Sequence, residues 1–110
     1  MYSQTELIQF TIVLDNKQKN LLRIRILRTN DEKILSFAII FTHAAETGTK
    51  VIFKADSSQN ERVHVHYSFA NPIRKEYHNR VVTVETIEHY VAHIKENWQW
   101  YLTQYEENYI

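Results

Sequence analysis

Two hydrophobic periods share this chain, and the point where one gives way to the other constrains the fold more than any motif does. Up to about residue 84, apolar residues alternate or fall in short two-sided runs, the patterns of strands. From about Thr86 onward, Ile87, Tyr90, Val91, Ile94, Trp98, Tyr101, Leu102 and Tyr105 recur at three- and four-residue steps, which is the apolar stripe of an amphipathic helix. Strands first and a long helix last is an α+β arrangement. A helix of about 23 residues is roughly 34 Å long, enough to cross a whole sheet. The expectation is one domain over 1–110, with an antiparallel meander of five or six strands in 1–84 and a helix over 85–110 packed on one face.

Punctuation divides the first part. Residues 6–14 are β-branched and aromatic and end at Asp15-Asn16, a turn pair. Residues 21–29 alternate, with Leu22, Ile24 and Ile26 on one side and Arg23 and Arg25 on the other. Residues 34–42 are apolar on both sides, which predicts a central strand covered twice. A turn around Glu46-Thr47-Gly48 leads to a strand over 51–55 and then a polar loop from Asp56 to Asn60. Residues 62–69 alternate again: Val63, Val65, Tyr67 and Phe69 are expected inward, and Arg62, His64, His66 and Ser68 outward. Asn71-Pro72 ends that strand, and residues 81–84 are read as a short last one.

Composition excludes several chemistries. With no cysteine, there is no disulfide framework, thiolate zinc site, iron–sulfur cluster or cysteine nucleophile. The single glycine, Gly48, leaves no phosphate-cradling Gly-rich loop. The N-terminus lacks the basic and apolar regions of a signal peptide, and no apolar run approaches a membrane span, so a cytoplasmic location without membrane contact is expected. Thirteen basic residues balance thirteen acidic ones, but residues 85–110 carry a net −4 and residues 1–84 a net +4. A basic body of that kind can present one side to a polyanion.

The row Arg62, His64, His66, Ser68 is the sharpest local feature. Histidines at i and i+2 on a strand share a face about 7 Å apart, within reach of one metal ion or one substrate. The cupin metal motif that begins this way needs a nearby Glu and flanking glycines, which this sequence lacks. His89 and His93 share a helix side, but Tyr90 stands where the metalloprotease motif has its Glu. The three aspartates, Asp15, Asp31 and Asp56, all fall in predicted turns, which argues against a two-metal phosphodiesterase. No metal or other cofactor is therefore expected.

Metal-free RNA cleavage needs only a base, an acid and a cation for the phosphorane. His64 or His66 is the expected base and His78 or Tyr77 the acid. Arg62 and Arg80 are assigned to phosphate charge, with Arg23, Arg25 and Arg74 as further nucleic-acid contacts. Lys54 and Lys75 are candidates for the same basic surface. On the helix, Trp98 and Tyr101 suit core packing, whereas Trp100, Tyr109 and Ile110 are left for a dimer or partner contact.

The basic strand over 62–67, a loop closing on His78, and a terminal helix carrying Ile94-Lys95-Glu96-Asn97-Trp98 followed by Tyr101 resemble the TumE-type toxins of prokaryotic toxin–antitoxin modules, across roughly residues 35–105. TumE-like chains carry an Asp in the strand-to-loop segment and a dense His cluster after it. Here that stretch reads Ser68-Phe69-Ala70-Asn71-Pro72, with His78 beyond. The resemblance implies a toxin-like protein acting on RNA, a cognate antitoxin or other protein partner, and His66 and His78 as the nearest counterparts of the family's residues. The alternative is a non-enzymatic interaction module, a homodimer or partner-binding subunit, using a sheet edge or the remaining helix aromatics.

Overall fold

The structure, a computed structural model, describes residues 4–58, 61–68, 70 and 74–108. Six strands form one sheet in sequence order, each antiparallel to the next: β1 (Thr5–Val13), β2 (Asn20–Thr29), β3 (Ile34–Ala45), β4 (Gly48–Ser57), β5 (His64–Tyr67) and β6 (Arg74–Tyr77). Helix α1 (Val84–Asn108) packs across β3 and β4 on one face. This is the α+β meander with a long C-terminal helix that the two periods predict. Among the described residues no helix is long and apolar enough to cross a membrane.

The core follows from strand parity. Leu22 and Ile24 of β2, Phe37, Ile39 and Phe41 of β3, Phe53 and Ala55 of β4 and Val65 of β5 lie beneath Ile87, Tyr90, Ile94 and Tyr101 of α1. Trp98 meets Phe41 edge-on, with 6.3 Å between ring centres. Each apolar side chain withdrawn completely from water, such as Ile39 or Ile94, contributes about 1.5–3 kcal/mol. Gly48 opens β4 at φ 121°, backbone that side chains resist, so the lone glycine stands where the tight β3–β4 turn requires it. The helix is capped by Thr83, whose Oγ1 accepts the Thr86 N–H at 3.3 Å.

Four sequence expectations change. Residues 81–84 are not a strand: 81–83 lead into the Thr83 cap and Val84 opens the helix. The sixth strand is Arg-Lys-Glu-Tyr at Arg74–Tyr77, which carries no hydrophobic alternation because all four residues are exposed at the sheet edge. Strand β4 runs to Ser57, so Asp56 lies in a strand and not in a loop. Central β3 is covered by the helix on one side only; Ala38 and Ile40 on its other side are half-buried. The expectations for Phe69, Asn71-Pro72, Tyr109 and Ile110 lie outside the described residues.

Candidate functional site

The register aligns polar side chains in two transverse rows on the face that the helix leaves open. One row runs Gln9, Arg25, Ala38, Asp56, His64, Tyr77 from β1 to β6. Its neighbour runs Thr11, Arg23, Ile40, Lys54, His66, Lys75. Arg23 and Arg25 thus share a face with the histidines of β5, a point that depends on strand order and is not legible from the strands taken singly. Arg62 adds a guanidinium stacked 4.9 Å from the centre of the Tyr77 ring. Among the described residues this face carries five cationic side chains, Arg23, Arg25, Lys54, Arg62 and Lys75, against two carboxylates, Asp56 and Glu61. Neither Arg23 nor Arg25 joins an ion pair among the described residues.

At the β4–β5–β6 end the charges are engaged. Lys54 Nζ lies 3.3 Å from Asp56 Oδ2. Glu61 accepts hydrogen bonds from Lys75 and, at 2.7 Å, from the Tyr77 hydroxyl. Those bonds, Lys75's first, pull the Glu61 carboxyl down to about 2, and the same contact raises the Lys75 ammonium above its ordinary value. His64, expected outward and solvated, is 4% exposed. The Tyr77 ring packs against it at 5.6 Å and the His66 ring at 4.8 Å, which removes the water that its strand parity suggested. Its Nδ1–H donates to the Arg62 carbonyl at 2.8 Å, and its Nε2 lies 2.5 Å from Asp56 Oδ1. His66 Nε2 is 3.8 Å from the same oxygen. Burial holds the His66 imidazole below the ordinary histidine value, with Asp56 pulling the other way.

The opposite side of β5 and β6 holds a second cluster. A cavity of about 180 Å³ between sheet and helix is lined by Tyr67, Glu76, His78, His89, Tyr90, His93 and Tyr101 over Phe53 and Val65. His78 Nδ1 bonds the Tyr90 hydroxyl and its Nε2 lies 3.1 Å from Glu76. His93 Nε2 lies 2.8 Å from the Tyr101 hydroxyl. Burial holds both His89 and His93 below the ordinary value and pushes the Tyr90 and Tyr101 hydroxyls up to about 12. At the His93–Tyr101 pair, burial thus favours the neutral form of both partners.

Of the four residues expected to act together, His64, His66 and Tyr77 converge on the open face, and His78 does not. Tyr77 pairs with His64, so the next residue turns to the helix side, where the His78 N–H donates to Val63 O at 2.9 Å. The five expected arginines divide likewise. Arg23, Arg25 and Arg62 belong to the open face, whereas Arg74 and Arg80 stack over Tyr67 and Tyr90 at 4.7 and 5.8 Å on the helix side. Sequence reasoning missed Asp56 and Glu61, and on the other side the pairing of His93 with Tyr101. The alternation Lys54-Ala55-Asp56-Ser57 was the available signal for Asp56. Compared with known proteins, the chain matches no family model, no curated protein and no solved structure.

Proposed function

We propose that this is a toxin-like RNA-targeting protein whose open sheet face binds the phosphate backbone of a single strand. The observation that carries the reading is the pair Arg23 and Arg25, exposed on the uncovered face without ion-pair partners among the described residues, with Arg23 in register with Lys54, His66 and Lys75. Guanidinium groups suit bidentate phosphate contacts. Aromatic and imidazole rings at the β5–β6 end, Tyr77 and His66, offer surfaces on which bases stack. Phosphate binding of this kind is sequence-tolerant and salt-dependent.

The test is fluorescence anisotropy of a labelled single-stranded RNA oligonucleotide across a salt series. The native chain binds at low salt and weakens linearly in log–log form. The double charge reversal Arg23→Glu/Arg25→Glu abolishes binding without changing the circular dichroism spectrum. Absence of binding at low salt, or binding indifferent to the reversal, defeats the reading. Cleavage is a narrower claim on the same face: with His78 across the sheet, His66 as base and Tyr77 as acid are the remaining pair. Fragments that disappear in His66→Ala extend binding to a ribonuclease, and an intact oligonucleotide confines it to binding.

A second reading is favoured by β1, an edge strand on which Leu7, Phe10 and Val13 are each roughly half exposed. Edge-to-edge pairing of two β1 strands would make a homodimer with a continuous twelve-stranded sheet. Sedimentation decides it: a monomer at high concentration removes this reading, and a dimer that Thr11→Pro dissociates supports it.

A further inference from the structure

We infer that Asp56, His64 and His66 form a binding site for a divalent transition-metal ion of the zinc type. Their ligand atoms, one carboxylate oxygen and two imidazole nitrogens, lie within 4.8 Å of one another. Three protein ligands with a remaining open position are the arrangement of zinc sites that keep a water or substrate. Mixed imidazole and carboxylate donors suit zinc and its neighbours better than the all-oxygen preference of magnesium or calcium.

Two details show that this cluster calls for a shared cation. The first is the tautomer of His64. A carbonyl oxygen only accepts, so the 2.8 Å contact with Arg62 O requires the proton on Nδ1. In the neutral ring, Nε2 then carries a lone pair, and Asp56 Oδ1 lies only 2.5 Å from it with no hydrogen bond joining them. Two acceptors that close repel unless they share a cation, a proton or a metal ion. The second detail is Asp56 Oδ1 itself, which is buried and has no hydrogen-bond partner among the described residues in spite of that approach. An acceptor of that kind is costly to leave unmet.

A metal ion supplies that cation and, unlike a proton on His64, also engages His66, whose Nε2 faces the same oxygen at 3.8 Å. Four-coordinate zinc with bonds of about 2.0–2.1 Å sets neighbouring ligand atoms about 3.3 Å apart. The present separations of 2.5 and 3.8 Å from Asp56 Oδ1 bracket that value, so small side-chain rotations complete the set. The outer contacts are those a ligated site uses. His64 donates its other ring N–H to a backbone carbonyl, and Lys54 at 3.3 Å engages the second carboxylate oxygen of Asp56. Half-exposed His66 leaves the fourth position facing solvent on the open side. The inference is independent of phosphate binding through Arg23 and Arg25 and competes with the cleavage reading, because a metal-bound His66 nitrogen has no lone pair left to act as base; its test contains no RNA.

Titration calorimetry of chelator-treated full-length chain with zinc chloride measures it, with visible absorption of the cobalt(II) form as a report on coordination. The expected result is one equivalent bound per chain, insensitive to excess magnesium, with cobalt bands of a four- or five-coordinate site. His66→Ala and Asp56→Asn, which spare the buried His64, each weaken binding by at least about tenfold and keep the native circular dichroism. The double variant His89→Ala/His93→Ala, which removes the histidine pair on the helix, binds as the native chain does. No zinc binding by the native chain overturns the inference. So does binding that survives His66→Ala, or binding that is lost only with the helix pair.

Discussion

The two sides of the β5–β6 end carry the same kinds of side chain and put them to opposite uses. On the open side, His64, His66 and Tyr77 stand among Lys54, Asp56, Glu61 and Lys75. On the covered side, His78, His89 and His93 stand among Tyr67, Tyr90, Tyr101 and Glu76. On the open side the Glu61–Lys75 pair is driven toward charge, Glu61 pulled down to about 2 and Lys75 raised, each chiefly by the other, while partial burial lowers His66. The covered side drives its groups toward neutrality, since burial lowers His89 and His93 and pushes Tyr90 and Tyr101 up to about 12. The histidine and tyrosine inventory does not separate these behaviours. What lies above each group does: a helix in one case, water and lysines in the other. A single sheet under a single helix therefore acquires one face that holds the fold and another free for ionic chemistry.

That division breaks if stability and binding cannot be moved separately. The largest effect is expected from Phe53→Ala on the covered side, where the ring is 1% exposed and lies 5.0 Å from Tyr101. Urea unfolding should show a loss of about 3–5 kcal/mol, while RNA affinity measured on the folded population stays put. Next comes the reverse experiment. Arg23→Ala/Arg25→Ala on the open face should leave stability within about 0.5 kcal/mol. It should flatten the log–log salt dependence of single-strand binding by about 1.4, the contribution of two phosphate contacts. A double variant that unfolds more readily but keeps its salt slope would merge the two faces into one.

How much of this was visible in the sequence depends on which side is asked about. The fold class came through because its signals are periodic: Leu22, Ile24 and Ile26 at period two, and Ile87, Tyr90, Ile94 and Tyr101 at helical spacing. Strand β6 did not, since Arg74-Lys75-Glu76-Tyr77 is exposed throughout and buries nothing that could leave a pattern. That omission had a cost at the site. Neighbouring strand residues point to opposite faces, so recognising β6 would have shown that Tyr77 and His78 cannot serve one centre. Asp56 was hidden for a different reason. Aspartate is a poor strand former, and a strand read from its apolar residues ends at Ala55. The alternation of Lys54 and Asp56 against Phe53, Ala55 and Ser57 nonetheless continues to the end of β4. The convergence of Asp56, His64 and His66 exists only once β4 and β5 are paired.

A finer test of the covered side is Tyr101→Phe, which removes one hydroxyl and leaves the ring. His93 Nε2 then loses its 2.8 Å partner, and stability should fall by about 1 kcal/mol. The binding behaviour of the open face should not respond.

The smallest expected effect is in the pH dependence of stability, and it sharpens the comparison because the covered histidine pair and the open-side Glu61 begin to titrate at different pH. Burial lowers the folded-state values of His89 and His93, so on acidification from neutrality the unfolded chain takes up protons at these residues first. Their contribution is therefore complete above the unfolded value of 6.5 and is lost as pH falls from there through the lowered folded values. His66, also lowered by burial, adds one such group on the open side. Glu61 responds later: with its carboxyl at about 2 when folded against 4.5 as the ordinary value, its contribution begins to fall only as pH drops below that ordinary value, after the histidine contribution has started to decline. Thermal unfolding followed from pH 7 downward should thus show a first decline that His89→Gln/His93→Gln flattens more than His66→Gln does. A second decline, at lower pH, should respond to Glu61→Gln and be indifferent to the helix pair. If the helix double variant leaves the first decline unchanged, its imidazoles are not held neutral by the cover of the sheet, and the contrast between the two faces fails at its covered side.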